Sequence, residues 1–272
     1  MLVLERGLFH MLTKQNPEFE HRIKSLWNNY YTESQDDTIL KDKALFEMEI
    51  SVLTQAFVDA VNKISYKSQI RVLELGSGTG ILAESLLGSI PEKHQTAIHY
   101  IGVDFSEKAT TKAINRKLFQ TEFIVSDFLD FLEDKENCFD IVITQRSIMA
   151  IVEPMLQRSL LMVINKAMSL NGIGIFSEGT RQGIKILNTL RQQLGVKPIE
   201  KIWHCLYVDE NEVLELFNNV TIQDYASLFW LITRVVYPYF EKPQHNTLLH
   251  KLAAKLPQGE GNGLVKLFTL IK

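Results

Sequence analysis

Val72-Leu-Glu-Leu-Gly-Ser-Gly-Thr-Gly80 carries a short apolar run into three alternating glycines, and Ile81 to Leu87 continues at helical spacing. Glycine is needed where a backbone turns tightly and must approach a ligand with no Cβ in the way. A plain strand–turn–helix connection does not need three glycines in five residues. The segment therefore reads as a cofactor loop between a buried strand and a helix.

From residue 67 onward, short apolar runs alternate with helical stretches. Strands are predicted at Ile70–Leu75, Ile98–Val103, Glu122–Val125, Asp140–Thr144 and Ile173–Ser177. Helices fall between them at Ile81–Leu87, Lys108–Leu118, Phe128–Glu133 and Pro154–Ser169. Such alternation means parallel strands joined by crossover helices. Val220–Ala226 and Leu264–Leu270 supply a sixth and a seventh strand, giving an α/β doubly wound, seven-stranded, mostly parallel sheet. Ahead of it, Leu45, Met48, Val52, Leu53, Phe57 and Val61 predict a helix over about Lys41–Ile64, preceded by another over His21–Tyr31. Residues 1–66 thus form an N-terminal helical segment on a core of residues 67–272, and a helical insertion occupies about 228–258.

The composition is that of a globular chain: 272 residues, 46% hydrophobic and 22% charged, with a formal net charge of −3. The weakly acidic balance argues against a general nucleic-acid coat protein. Cys138 and Cys205 are too few for a disulfide framework or a Cys-rich zinc site, and no metal is expected. No apolar stretch reaches the length of a membrane span, and the start lacks the pattern of a secretory signal. The expected setting is cytoplasmic.

The glycine spacing alone admits two cofactors. Gly78-Thr-Gly80-Ile-Leu-Ala83 satisfies the dinucleotide fingerprint, with Asp104 about twenty residues downstream. Glu74 favours the other choice. A carboxylate at the mouth of the loop repels a pyrophosphate and suits a ligand bearing an ammonium and a sulfonium.

Glu74, Gly76, Gly78 and Gly80 resemble motif I of the class I S-adenosylmethionine-dependent methyltransferases, and Ser77 lies within that loop. Tyr100-Ile-Gly-Val-Asp-Phe-Ser106 resembles the family's second strand end. The resemblance implies that Asp104 takes both ribose hydroxyls, which a carboxylate can accept at once, and that Phe105 lies against the adenine. Phe123-Ile-Val-Ser-Asp-Phe128 resembles the third strand end, implying Asp127 on the adenine amine and Phe128 beside the ring. Phe139-Asp-Ile-Val-Ile-Thr-Gln145 resembles the fourth, whose exit at Gln145 lies between cofactor and acceptor. The family also implies an antiparallel last strand and an N-terminal segment over the cofactor, with Trp27, Tyr30 and Tyr31 available for it. The insertion of about 228–258 is expected to join that cap, with most of its aromatics between Leu228 and Phe240 packing cap against core.

The loop Thr144-Gln-Arg-Ser-Ile-Met-Ala150 has neither the Asn/Asp-Pro-Pro-aromatic signature of amide and exocyclic-amine methylases nor a Pro-Cys nucleophile. Those nucleic-acid subclasses are disfavoured. Glu178 follows the fifth strand and could hold a substrate ammonium or act as a base, or else pair with Arg181. Arg146 could bind a substrate carboxylate or phosphate, or else form a surface pair. In Ile202-Trp-His-Cys-Leu-Tyr207, His204 is a candidate general base or a structural histidine, and Trp203 and Tyr207 are candidate acceptor contacts. The expected reaction is methyl transfer from S-adenosylmethionine to an oxygen or nitrogen of a small molecule. The rivals are a nicotinamide-dependent oxidoreductase, a non-catalytic binder of the same cofactor and an aminopropyl transferase.

Overall fold

The structure is a computed structural model and describes residues 17–33, 40–242 and 244–272. Helix α1 (Pro17–Glu33) and helix α2 (Lys43–Lys63) precede the sheet. Asp42 starts α2 by accepting from the N–H of Leu45. Strands β1 (Ile70–Leu75), β2 (Ile98–Asp104), β3 (Thr121–Val125), β4 (Phe139–Gln145) and β5 (Met168–Gly179) alternate with helices α3 (Ile81–Gly88), α4 (Glu107–Asn115), α5 (Phe128–Leu132) and α6 (Pro154–Ala167). Then come α7 (Arg181–Gln193), α8 (Glu210–Leu216), β6 (Asn218–Gln223) and β7 (Val265–Ile271). Between β6 and β7 lie the helical run Ser227–Phe240 and helix Leu248–Lys255.

The sheet has seven strands in the order β3-β2-β1-β4-β5-β7-β6. Pairings among β1 to β5 are parallel, and β7 runs antiparallel to both β5 and β6. The central strands bury both faces by simple alternation. Val72, Ile141, Ile143 and Ile175 pack with α2, α3 and α7 on one side. Leu73, Leu75, Val142 and Phe176 pack with α5, α6 and α8 on the other. The carboxyl ends of β1 and β4 lie side by side, with chains leaving to opposite sides. That is the switch point at which open α/β sheets bind ligands.

Several boundaries differ from expectation, and two of them have a local cause. Strand β5 begins at Met168 rather than Ile173, since the chain crosses Asn171 in a left-handed conformation (φ 61°) and keeps pairing. Strand β6 ends at Gln223 because Asp224 turns inward, accepting from the N–H groups of Gly261 and Gly263 and from Lys266 Nζ.

The insertion packs into the core. Phe229 and Trp230 are buried with Leu45, Leu187 and Val265, and Arg234 donates to Asp42 at 2.6 Å. It sits against α2 and α7, and none of its residues lines the cleft described below. Among the described residues the cover of the cleft comes from α1, with Leu40 and α2 along one side.

Candidate active site

The loop after β1 is built on left-handed backbone. Gly76, Gly78 and Gly80 have φ of +79°, +51° and +75°, a region that L side chains adopt only under strain. A Cβ at Gly76 would lie 2.6 Å from Ser147 Cβ, and one at Gly78 would lie 3.3 Å from the hydroxyl of Tyr31. Gly76 and Ser77 donate their N–H groups to Val103 O, tying the loop to β2. Ser77 is buried, and its hydroxyl has no hydrogen-bond partner.

Three acids surround this loop. Glu74 is 1% exposed and accepts from Tyr100 Oη at 2.8 Å. Burial pushes its carboxyl up to about 8, against the opposing pull of the Tyr100 hydrogen bond. Asp104, at the end of β2, accepts from the N–H of Gly78 at 2.9 Å and of Ser106 at 2.8 Å. Burial raises it to about 6, less than it would without those two bonds. Asp127 caps α5 through the N–H of Leu129 and is likewise raised by burial.

Two adjoining cavities run along the carboxyl edge of the sheet. One is lined by Asp104, Phe105, Asp127, Phe128, Ser147, Ile151 and, from α1, Ile23, Lys24 and Trp27. The other is lined by Glu74, Ser77, Gly78, Thr79, Phe46 and Glu49. Tyr31, Gly76, Gln145 and Arg146 line both and mark their junction. Helix α1 is held across the opening by side-chain contacts. Trp27 meets His204 edge-on at 5.6 Å, Arg22 stacks over Trp203 at 4.1 Å, and Ser106 donates to Asn28 Oδ1 at 2.8 Å.

The residues expected at the acceptor divide sharply. Arg146 is at the junction, but not as a surface pair. Its Nε donates to both oxygens of Glu49, at 3.1 and 3.0 Å, and its Nη2 is buried with no hydrogen-bond partner. Burial alone would weaken the guanidinium's hold on its proton, but the Glu49 charge keeps that hold above the ordinary. Glu49 also accepts from Ser177 Oγ at 2.5 Å.

Glu178 lines neither cavity. It is fully buried, and its carboxylate accepts the N–H groups of Ser147, Ile148 and Met149 at 3.1, 3.0 and 3.1 Å. The expected acceptor ligand or base is thus a clamp on the loop after β4. Its expected alternative, a pair with Arg181, is not formed either, since Arg181 bonds Asp209. Burial raises Glu178 to about 7 despite the three N–H groups.

Trp203, His204 and Tyr207 also line neither cavity. Trp203 and His204 brace α1 from outside, and burial lowers His204's affinity for a proton. Tyr207 packs beside Gly179 at the end of β5. Its neighbour Leu206 donates its N–H to Met149 O, and Gln157 Nε2 donates to Ile148, Ile151 and Leu206 carbonyls. The stretch is a strut behind the loop.

Glu49 is the functional-site residue that sequence reasoning missed. Its signal is visible in retrospect: Leu45, Glu49, Leu53 and Phe57 stand four apart on the buried face of α2, and an acid in such a stripe needs a partner.

These donors fit S-adenosylmethionine. The hydrogen bonds to Glu74 and Asp104 come from a phenol and backbone N–H groups, so neither acid is paired with a cation, and each can still accept from a ligand, Glu74 from an ammonium and Asp104 from a vicinal diol. The open glycine cradle admits backbone-close approach, and a pyrophosphate would face buried acids. A seven-stranded sheet of this order with an acid-lined cleft at its switch point defines the class I methyltransferase fold.

Residues 66–196 match the family model described as a methyltransferase domain. Among solved structures, the chain superposes on magnesium protoporphyrin IX methyltransferase from Synechocystis with a TM-score of 0.54 at 13% identity, covering 90% of this chain and 92% of that one. The N-methyltransferase NodS of Bradyrhizobium japonicum, bound to S-adenosylhomocysteine, gives 0.53 at 12% identity, over 92% and 97%. An S-adenosylmethionine-dependent methyltransferase from Archaeoglobus fulgidus gives 0.50 at 18% identity, over 84% and 98%. At such identities these likenesses establish the fold. No curated protein matches the chain by sequence. Residues 66–196 are a class I S-adenosylmethionine-dependent methyltransferase domain, and S-adenosylmethionine is its cofactor.

Proposed function

We propose that the protein transfers the methyl group of S-adenosylmethionine to an oxygen or nitrogen nucleophile of a small molecule. The observation that carries this is the enclosure of the cleft: α1 lies across it, placing Tyr31 over the glycine loop and Trp27 over the adjoining cavity. A covered cleft suits a small acceptor better than a polymer, and it excludes water from a displacement that depends on alignment.

In this reading Glu74 takes the ammonium, while Gly76, Ser77, Gly78 and Gly80 cradle the amino-acid arm. Asp104 takes the ribose hydroxyls, Asp127 the adenine amine, and Phe105 and Phe128 flank the ring. Gln145 borders the sulfonium. When bound, the cofactor supplies an electrophilic methyl group; the chain's part is to bind, orient and exclude water. Two free cysteines, neither in a disulfide, fit a reducing cytoplasmic setting.

Calorimetric titration of the full chain with S-adenosylhomocysteine and with NAD tests the assignment. Micromolar binding of the first and none of the second is expected. No binding of S-adenosylhomocysteine to folded protein overturns it.

A further inference from the structure

The acceptor itself can be narrowed, on the reading that the cleft holds S-adenosylmethionine. The sulfonium joins the amino-acid arm to the nucleoside arm, so it falls where the two cavities meet, beside Tyr31, Gln145 and Arg146. We propose that the methyl acceptor is a small carboxylic acid, held by Arg146 and drawn in by Lys24, and that the product is its methyl ester.

The charge at the junction is the first support. Arg146 is fixed by Glu49 through Nε and has the Tyr225 hydroxyl beside its guanidinium, and its buried Nη2 makes no hydrogen bond on a residue lining both cavities. Buried donors are rarely left unpaired, and a guanidinium edge matches a carboxylate. Lys24 adds a second cation on the lip of the adjoining cavity. At the junction itself an ammonium acceptor would meet the Arg146 guanidinium and the sulfonium, while in the proposed binding mode Glu74, Asp104 and Asp127 face the cofactor and Glu49 faces Arg146.

The second support is the engagement of every carboxylate in the cleft. Glu49 serves Arg146 and Ser177; Glu74 serves Tyr100; Asp104 serves Gly78 and Ser106; Asp127 serves Leu129. Tyr31 is buried beside Asp104 and keeps its proton far above neutrality. His204 and Glu178 stand outside the cavities. A hydroxyl or ammonium acceptor must lose a proton, and the described residues of the cleft offer it no disengaged base. A carboxylate is already ionised at neutral pH. One of its oxygens forms the bond to the methyl carbon as the carbon–sulfur bond breaks. The bonding pair stays on sulfur, which becomes a neutral thioether, and no proton moves.

The test uses the full chain with benzoate, phenylacetate and hexanoate, set against their amides and the matching amines. With S-adenosylhomocysteine bound, calorimetry should show the acids binding at least tenfold more tightly than the amides. Lys24→Gln, an exposed change, should weaken the acids two- to fivefold and leave the amides unaffected. The pair Glu49→Gln with Arg146→Gln, which removes both charges together, should abolish the preference. With methyl-labelled S-adenosylmethionine, label on product should be released as methanol by mild alkali, since esters hydrolyse while N-methyl groups and ethers persist. Alkali-stable label, equal binding of acids and amides, or no acid bound or methylated by a chain that binds S-adenosylhomocysteine each overturns the proposal. A folded chain that fails to bind S-adenosylhomocysteine overturns the cleft assignment itself, and the acceptor proposal falls with it.

Discussion

Glu178 and Ile148 stand thirty residues apart in sequence, yet the carboxylate of one accepts the backbone N–H of the other at 3.0 Å, with Ser147 and Met149 donating on either side. A buried side chain thus anchors the first turn after β4, the segment that separates the cleft from the strut behind it. Glu178→Gln keeps the shape but replaces one accepting oxygen by an NH2 group, which leaves at least one of the three backbone N–H groups facing a donor. An unsatisfied buried donor costs about 1–3 kcal/mol, so the melting temperature should fall by several degrees. Cofactor affinity should change little. A variant with unchanged melting temperature and normal loop protection in hydrogen exchange would show that the clamp is not needed.

The cofactor acids should reveal themselves through protons. Glu74 has its carboxyl at about 8 in the free protein, so at pH 7 it is mostly protonated. A ligand ammonium favours the ionised form, and binding therefore releases up to about one proton per site. Affinity for S-adenosylhomocysteine should rise as pH goes from 6 to 8 and level off above. Calorimetry in buffers of different ionisation enthalpy measures the release directly, and Glu74→Gln should abolish it. PH-independent binding by wild type would assign the ammonium elsewhere.

Asp104→Ala should weaken cofactor binding by one or two charge-assisted hydrogen bonds, about 1.5–3 kcal/mol each. The same change removes the acceptor for Gly78 N–H, so the loop itself should loosen. Titration with adenosine alone, compared with S-adenosylhomocysteine, should show the loss on both ligands, since the ribose is common to them.

Helix α1 should contribute to binding more than to folding. Trp27→Ala with Tyr31→Ala removes the side chains that cover the cavities while leaving the sheet and both core layers intact. Affinity for S-adenosylhomocysteine should drop tenfold or more with the far-ultraviolet spectrum unchanged. Equal affinity would make α1 peripheral.

Acid stability should depend on Asp140. It is buried at the start of β4, where burial would raise it, but hydrogen bonds from Arg71, Lys67 and Ser169 hold it down at about 2. A carboxylate held below its unfolded value stabilises the fold above about pH 4, and that contribution drains away as pH falls through 2. Asp140→Asn should cost about 2 kcal/mol at pH 7 and only a small fraction of that near pH 2, measured by urea unfolding at both values.

Much of this was legible in the sequence, for a physical reason. Short apolar runs around Val72 and Ile141 and the spacing of Leu45, Leu53 and Phe57 report burial on strands and a helix, and burial dominates the fold. The glycines at 76, 78 and 80 report backbone geometry directly. The acceptor side was not legible, because its bonds join side chains to distant backbone. Nothing local to Glu178 says that its oxygens meet the N–H groups of residues 147–149. His204 and Trp203 looked chemical by residue type, but their place is set by where α1 crosses. Phe229 and Trp230 point inward because α2 and α7 leave an apolar trough there, and a trough between two helices has no signature in one of them.

The loop after β4 is clamped from one side by Glu178 and propped from the other by Gln157. For anyone wishing to redirect the protein to a new acceptor, that makes the loop a poor place to begin. The N–H groups of residues 146–151 each already have a fixed counterpart, so altering the loop's length or path would strip several bonds at once. Helix α1 is the better starting point. It touches the cleft through a few side chains and rests on ring contacts, so exchanging Ile23, Lys24 or Trp27 could reshape the entrance while the catalytic floor stays as it is.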